Sequence, residues 1–92
     1  SLVNYPTEFS RTFKTAIIQR DGNVCAVCRL PRVLQVHHID YNKDNTVPEN
    51  CVSLCRTCHG ACHTGSKKTR ILIHDYWCHV LTRLVKIRMT DE

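Results

Sequence analysis

Two Cys-x-x-Cys pairs, Cys25-x-x-Cys28 and Cys55-x-x-Cys58, constrain this chain more than any other feature of it. Each pair turns so that two sulfurs converge on one point, and two such knuckles complete the tetrahedron of thiolates that structural zinc prefers. The 26 residues between the pairs exceed the ~15 to 20 of a simple four-cysteine ribbon. The excess is what a two-stranded hairpin inserted between the knuckles would need. A chain of 92 residues hides only about 60% of its unfolded surface on folding, so it needs a staple. Structural zinc supplies one, with an apparent ~10 to 16 kcal/mol of binding linked to folding, comparable to the whole net stability of a domain. Seven cysteines is an odd number, which excludes a framework of disulfides alone. Cys51, Cys62 and Cys78 are expected to be small buried apolar residues, with Cys62 also able to compete as a ligand.

The histidines form a second group. His59 and His63 are four apart, so on a helix both imidazoles project from one face. A strand carrying His37-His38 can add just one of its two rings on that side, because adjacent strand residues point to opposite faces. Imidazoles from His37, His59 and His63 would leave a coordination position open, which separates a catalytic metal from a structural one. His74 and His79 have no partner at suitable spacing and read as surface residues. Cys55-Arg56-Thr57-Cys58-His59 also matches the haem-attachment pattern C-x-x-C-H. A haem there would leave Cys25-x-x-Cys28 and His63 without purpose, so none is expected.

The elements between these residues predict a small α+β fold. A first helix over about 7–20 carries Phe9, Phe13, Ala16 and Ile17 at helical spacing, capped by Thr7 or Ser10 and stopped at Asp21-Gly22. Val33 to His38 reads as a short strand and residues 51–54 as its return, with a polar loop from 40 to 50 between them. A helix from Arg56 through His63 follows, and a longer one over about 68–88 presents Ile73, Trp77, Leu81, Leu84 and Arg88 on one stripe. Ile71 to Ile73 has a strand as its alternative. The chain is expected to be one domain over 1–92.

Thirteen Lys and Arg against eight Asp and Glu give +5, and residues 64–90 hold six of those cations against Asp75 alone. A polyanionic partner is therefore plausible on charge, and this basic segment is where phosphates would be met. No apolar run approaches the ~18 residues of a membrane helix. With no leader-like start and with cysteines spaced for metal, a reducing, cytoplasmic location is expected.

The order C-x-x-C, Val36-His37-His38-Ile39-Asp40, Asn50 within Asn50-Cys51-Val52-Ser53-Leu54-Cys55, Cys58-His59 and His63 resembles the HNH endonuclease family, in its subgroup braced by a four-cysteine zinc. Arg20-Asp21-Gly22 ahead of the first knuckle also looks like this family. Its small members are frequent in bacteriophages and bacteria, where the location would be the host cytoplasm. The resemblance implies a ββα-metal, treble-clef-like core over about 25–63 with helical flanks, and a metal-dependent DNA endonuclease working with one ion. By position it implies His38 as general base, Asn50 as the residue that positions the base or its loop, and His37, His59 and His63 as ligands of a divalent ion (Mg²⁺, Mn²⁺, Ni²⁺ or Zn²⁺). Cys25, Cys28, Cys55 and Cys58 would hold the structural zinc. Arg56, Lys67, Lys68 and Arg70 flank the metal helix and are the expected phosphate contacts. Cutting both strands of a duplex would need two protomers, as in a homodimer or a larger phage or bacterial assembly, or two encounters. The competing reading of the same residues is a non-catalytic, zinc-stabilised module that binds nucleic acid.

Overall fold

The computed structural model describes residues 8–63 and 67–90, with side chains of the last helix described from residue 72 onward. In chain order the elements are α1 (Arg11–Arg20), β1 (Leu34–His38), a 3₁₀ turn (Pro48–Asn50), β2 (Cys51–Cys55), α2 (Arg56–Ala61) and α3 (Lys67–Thr90). The fold is α+β: β1, β2 and α2 form a ββα core, and α1 and α3 flank it.

Helix α1 begins later than the sequence suggests. Ser10 is the N-cap, its Oγ accepting from the Phe13 N–H at 3.2 Å, the contact that makes serine a good cap; Thr7 lies outside the described residues. Phe9 therefore precedes the helix, and its ring packs 6.2 Å from Phe13 and 4.5 Å from His38. Phe13 and Ile17, one turn apart, are fully buried against Cys51, with Val36 beside them.

What ends α1 also ties it to the sheet. Asp21 is fully buried, and its Oδ2 accepts the Ser53 N–H at 2.9 Å. Arg20 answers that buried charge with Nε to Oδ1 at 2.9 Å and Nη2 to Oδ2 at 3.1 Å. The same guanidinium donates to Pro48 O and Cys51 O, each at 2.7 Å. A carboxylate and a guanidinium in fork geometry, with further donors and acceptors satisfied, is the form in which a buried pair is tolerated. Gly22, at φ +79°, then releases the chain into the first knuckle.

Strands β1 and β2 pair antiparallel, from Leu34 opposite Cys55 to His38 opposite Cys51. All five residues of β2 are buried because helices cover both faces. Cys51 and Ser53 face α1 and its Arg20-Asp21 bracket, whereas Val52 and Leu54 face the main core with Leu81 and Val85 of α3. Cross-strand partners share a face, so Gln35 and His37 lie on the side of Leu54 and Val52, and Val36 and His38 on the side of Phe13. Residues 71–73 belong to α3, so helix displaces the strand alternative. Of the predicted stripe, Leu81 is fully buried and Trp77 and Leu84 half-buried, and Val85 joins them. Burying each such side chain contributes about 1.5 to 3 kcal/mol.

Helix α2 ends at Ala61 rather than running to His63. Cys62 keeps αR dihedrals and donates to Cys58 O at 3.3 Å, while the His63 N–H bonds Gly60 O at 3.0 Å. The tightened last turn carries His63 over His59, so the four-residue spacing survives the shorter helix.

Candidate functional site

The first candidate centre joins the loop after α1 to the end of β2. The Arg29 N–H bonds Cys25 O at 2.9 Å with Arg29 at φ +62°, closing the knuckle, and the Ala26 N–H bonds Ser53 O at 3.0 Å, pinning it to β2. Cys55 and Cys58 complete the set from the start of α2. The four sulfurs lie within 4.8 Å of one another, and Cys28 Sγ is 3.7 Å from Cys55 Sγ. Thiolates at ~2.3 Å around a tetrahedral zinc stand roughly 3.8 Å apart, so this donor set fits the ion. Burial alone would raise the Cys25 thiol, but the backbone N–H groups of Cys28, Cys55 and Val27 outweigh it and hold the group at about 6. The Cys58 N–H likewise lowers Cys55. Burial and the neighbouring sulfurs push Cys58 up, and Cys28 rises too, the Leu30 N–H being outweighed by burial and the same neighbours. The cluster thus lowers two of its thiols and raises the other two, and a bound cation would favour the thiolate form of all four. No disulfide joins any of the seven cysteines.

The second candidate centre is built by β1 and α2. Donor atoms of His37, His59 and His63 lie within 4.8 Å of one another, and the ring centroids are 4.9 to 5.3 Å apart. His37 is 3% exposed, and its Nε2 has no hydrogen-bond partner among the described residues. A buried imidazole nitrogen left bare is costly unless something binds it, and a divalent ion is the partner that three neutral imidazoles suit. Burial, with the neighbouring His59 and His63, lowers His37 to about 4, and burial with His63 lowers His59. Both rings are thus neutral, as ligation requires. His59 Nε2 and His63 Nε2 are 3.3 Å apart, and His59 Nδ1 is 2.6 Å from Gln35 Oε1. Tyr41, at φ +65°, closes the inner side: its ring lies 5.0 Å from both His37 and His63 and 4.4 Å from His74, and its hydroxyl donates to Cys62 O.

His38 points away from this trio along the strand yet borders the same cleft. Phe9, Val36, Tyr41 and Lys43 line about 460 Å³ of space together with His37, His38, His59 and His63. His38 Nε2 is 3.1 Å from Thr46 Oγ1, and that hydroxyl donates its hydrogen to Lys43 O at 3.2 Å. Thr46 therefore accepts from His38 Nε2–H, which leaves Nδ1 with the lone pair. Burial lowers His38, Asp40 working against it.

Asn50 is bonded into the loop between the strands. Its Nδ2 donates to Asp40 Oδ1 and to Asn45 O, each at 2.9 Å, and its Oδ1 accepts the Asp40 N–H at 3.1 Å. These are the bonds of a loop brace. The Asn50 carbonyl adds a bond from the Ile39 N–H at 2.7 Å, just beyond His38. Asp40 is also gripped by the Asn42 N–H and Asn45 Nδ2, and these bonds outweigh its burial and lower its carboxyl.

Of the expected phosphate contacts, Arg56 is exposed at the start of α2, while the side chains of Lys67, Lys68 and Arg70 lie outside the described residues. Lys43, on the rim of the cleft, was not singled out by sequence; its place in the loop that closes over His38 was the available signal. Gln35 and Thr46 were missed as well. Strand alternation places Gln35 on the His37 face, but nothing local marks Thr46.

Both centres fall in a single stretch. Residues 25–65 match the family model described as HNH endonuclease. All four cysteines, the three clustered histidines, His38 and Asn50 are inside the matched residues. No curated protein and no solved structure matches the chain. The domain assigns a nuclease or nucleic-acid-binding role, and the cysteine cluster is suited to a metal such as zinc. Among the described residues, no helix is long and apolar enough to cross a membrane.

Proposed function

We propose that this protein is a DNA endonuclease that hydrolyses phosphodiester bonds with one divalent ion held by His37, His59 and His63 and with His38 as general base. One observation carries the reading: three imidazoles converge within 4.8 Å beside a fourth that borders the same cleft. A purely binding module has no use for that fourth ring. Bound there, a divalent ion would polarise the scissile phosphate and offset charge on the departing oxygen.

The rest is the work of the chain. Burial favours the neutral form of His38, in which Nδ1 accepts a proton from the attacking water. Thr46 holds the opposite edge of the ring, and Asn50 fixes the loop that carries Thr46. Arg56, Lys67, Lys68, Arg70 and Lys43 supply cations for the phosphates on either side. About six neutralised phosphates would give a salt slope near −5. The products would carry 5′-phosphate and 3′-hydroxyl ends, and the cytoplasm of a bacterium or a phage-infected cell is the proposed setting.

The test is nicking of supercoiled plasmid by protein stripped of loosely held metal, with Mg²⁺, Mn²⁺, Ni²⁺ or Zn²⁺ restored singly and His38→Ala beside wild type. Restored cleavage that drops by about 10² to 10⁴ in the variant, with circular dichroism unchanged, is the expected result. Equal cleavage by His38→Ala would overturn the base assignment; no cleavage with any ion by a folded, zinc-loaded protein would leave the binding module.

A further inference from the structure

We propose that Gln35 is a positioning residue of the histidine centre: its Oε1 accepts the His59 Nδ1 hydrogen, fixes the tautomer with a bare Nε2, and aims that nitrogen at the point shared with His37 and His63. The inference rests on the reading that these three histidines hold an ion.

Register brings the parts together. Gln35 and His37 are two apart on β1 and share the face turned to α2. His59 lies on the facing turn of α2, and its two ring nitrogens look in opposite directions: Nδ1 toward Gln35 at 2.6 Å, Nε2 toward His63 Nε2 at 3.3 Å. An amide oxygen only accepts, so an oxygen at that distance requires the hydrogen on Nδ1. In neutral imidazole one nitrogen then remains unprotonated, and it is the one facing the other ligands. Without this bond the ring could turn, or carry its hydrogen on Nε2, where no cation can be bound. Histidine ligands ordinarily donate their second N–H to an oxygen, and losing that partner lowers metal affinity by about 10- to 100-fold.

Gln35 is exposed, lines a second, adjoining cleft of about 320 Å³ with Lys14 and His59, and contributes little to the core. Its replacement should leave the fold intact, which makes the effect on the ion separable. The variants are Gln35→Met, of similar length without an acceptor, and Gln35→Glu, which keeps one.

Two measurements are made on the zinc-loaded protein. Long-range ¹H–¹⁵N spectra, before any second ion is added, read the His59 tautomer; titration calorimetry with Mn²⁺ or Ni²⁺ reads the affinity of the histidine centre. Wild type should show His59 protonated at Nδ1, Gln35→Met a mixture of tautomers with affinity lower by about 10- to 100-fold, and Gln35→Glu affinity equal to wild type or higher. A wild-type His59 protonated at Nε2, or a Gln35→Met protein with unchanged tautomer and affinity, would overturn the proposal. If wild type binds no second ion, the metal reading itself fails, while the tautomer spectrum still decides whether Gln35 orients the ring.

Discussion

The cysteine centre and the histidine centre share β2 and α2, yet the chain holds them in opposite ways. At the cysteine centre the sulfurs touch mainly one another and backbone N–H groups, and burial together with the neighbouring sulfurs raises two of the four thiols. A cation is the partner that such a cluster lacks within the chain. At the histidine centre each ring is braced by something that is not the ion: Gln35 on His59, Tyr41 on His37 and His63, Thr46 on His38. The contrast is that between a cluster suited to a metal that holds a fold together and a cluster whose rings are held by the protein around them, as the proposed function requires.

If that contrast holds, removing the cysteine-bound ion has the largest effect. A strong chelator, or Cys25→Ser or Cys58→Ser, should unfold the chain, since the ~10 to 16 kcal/mol at stake exceeds most domain stabilities. A circular dichroism spectrum and melting curve that survive complete metal removal would break the comparison outright.

Next comes the protein's own bracket behind the sheet. Asp21→Ala strands the Arg20 guanidinium and the Ser53 N–H, at a cost of about 3 to 5 kcal/mol. The variant should still bind zinc at the cysteines, with a lower denaturation midpoint. An unchanged midpoint would mean that the bracket does not tie α1 to the sheet.

Acid should act on the histidine side with a defined sign. His37 is lowered to about 4 by burial, so the unfolded chain, at its ordinary ~6.5, takes up the proton first. The stabilisation is fully present above about pH 6.5 and is lost as pH falls toward 4, amounting to roughly 3 kcal/mol. Urea midpoints of wild type and His37→Gln should converge over that window, and parallel curves would count against it. The depressed His38 likewise predicts that the acid limb of cleavage lies below the ordinary imidazole range; a limb above about pH 6.5 would contradict it.

The smallest change in stability should come from His59→Ala. Half-buried and outside the core, it should shift the midpoint by about 1 kcal/mol or less, while divalent-ion binding at the histidine centre is lost and zinc at the cysteines is kept. Unfolding of this variant would erase the distinction between the two centres.

The parts that were legible in the sequence are those whose partners lie close along the chain. Cys25 with Cys28, Cys55 with Cys58, and His59 with His63 are fixed by local turns; alternation in β1 allows only one of His37 and His38 on the side of α2, and pairing with β2 makes it His37. The helix boundaries were less legible because they hang on single contacts. Ser10 captures the Phe13 N–H, so Phe9 falls outside α1 and lies against His38 instead. The stop at Asp21 was readable, but not its burial, since the groups that satisfy it are on Ser53 and Arg20.

The sequence by itself determined the two cysteine knuckles, the His59–His63 pair and the α+β class, because short-range spacing dictates which side chains a turn or a strand can bring to one side. Only the tertiary structure decided what orients those donors. Gln35 reaches His59 across 24 residues, Tyr41 reaches Cys62 across 21, and Asp21 reaches Ser53 across 32. Such contacts form when the strands pair in one register and α1 and α3 close over them. That register is set by burial of Val52, Leu54, Phe13, Ile17 and Leu81 together, a property of the packed chain rather than of any motif within it.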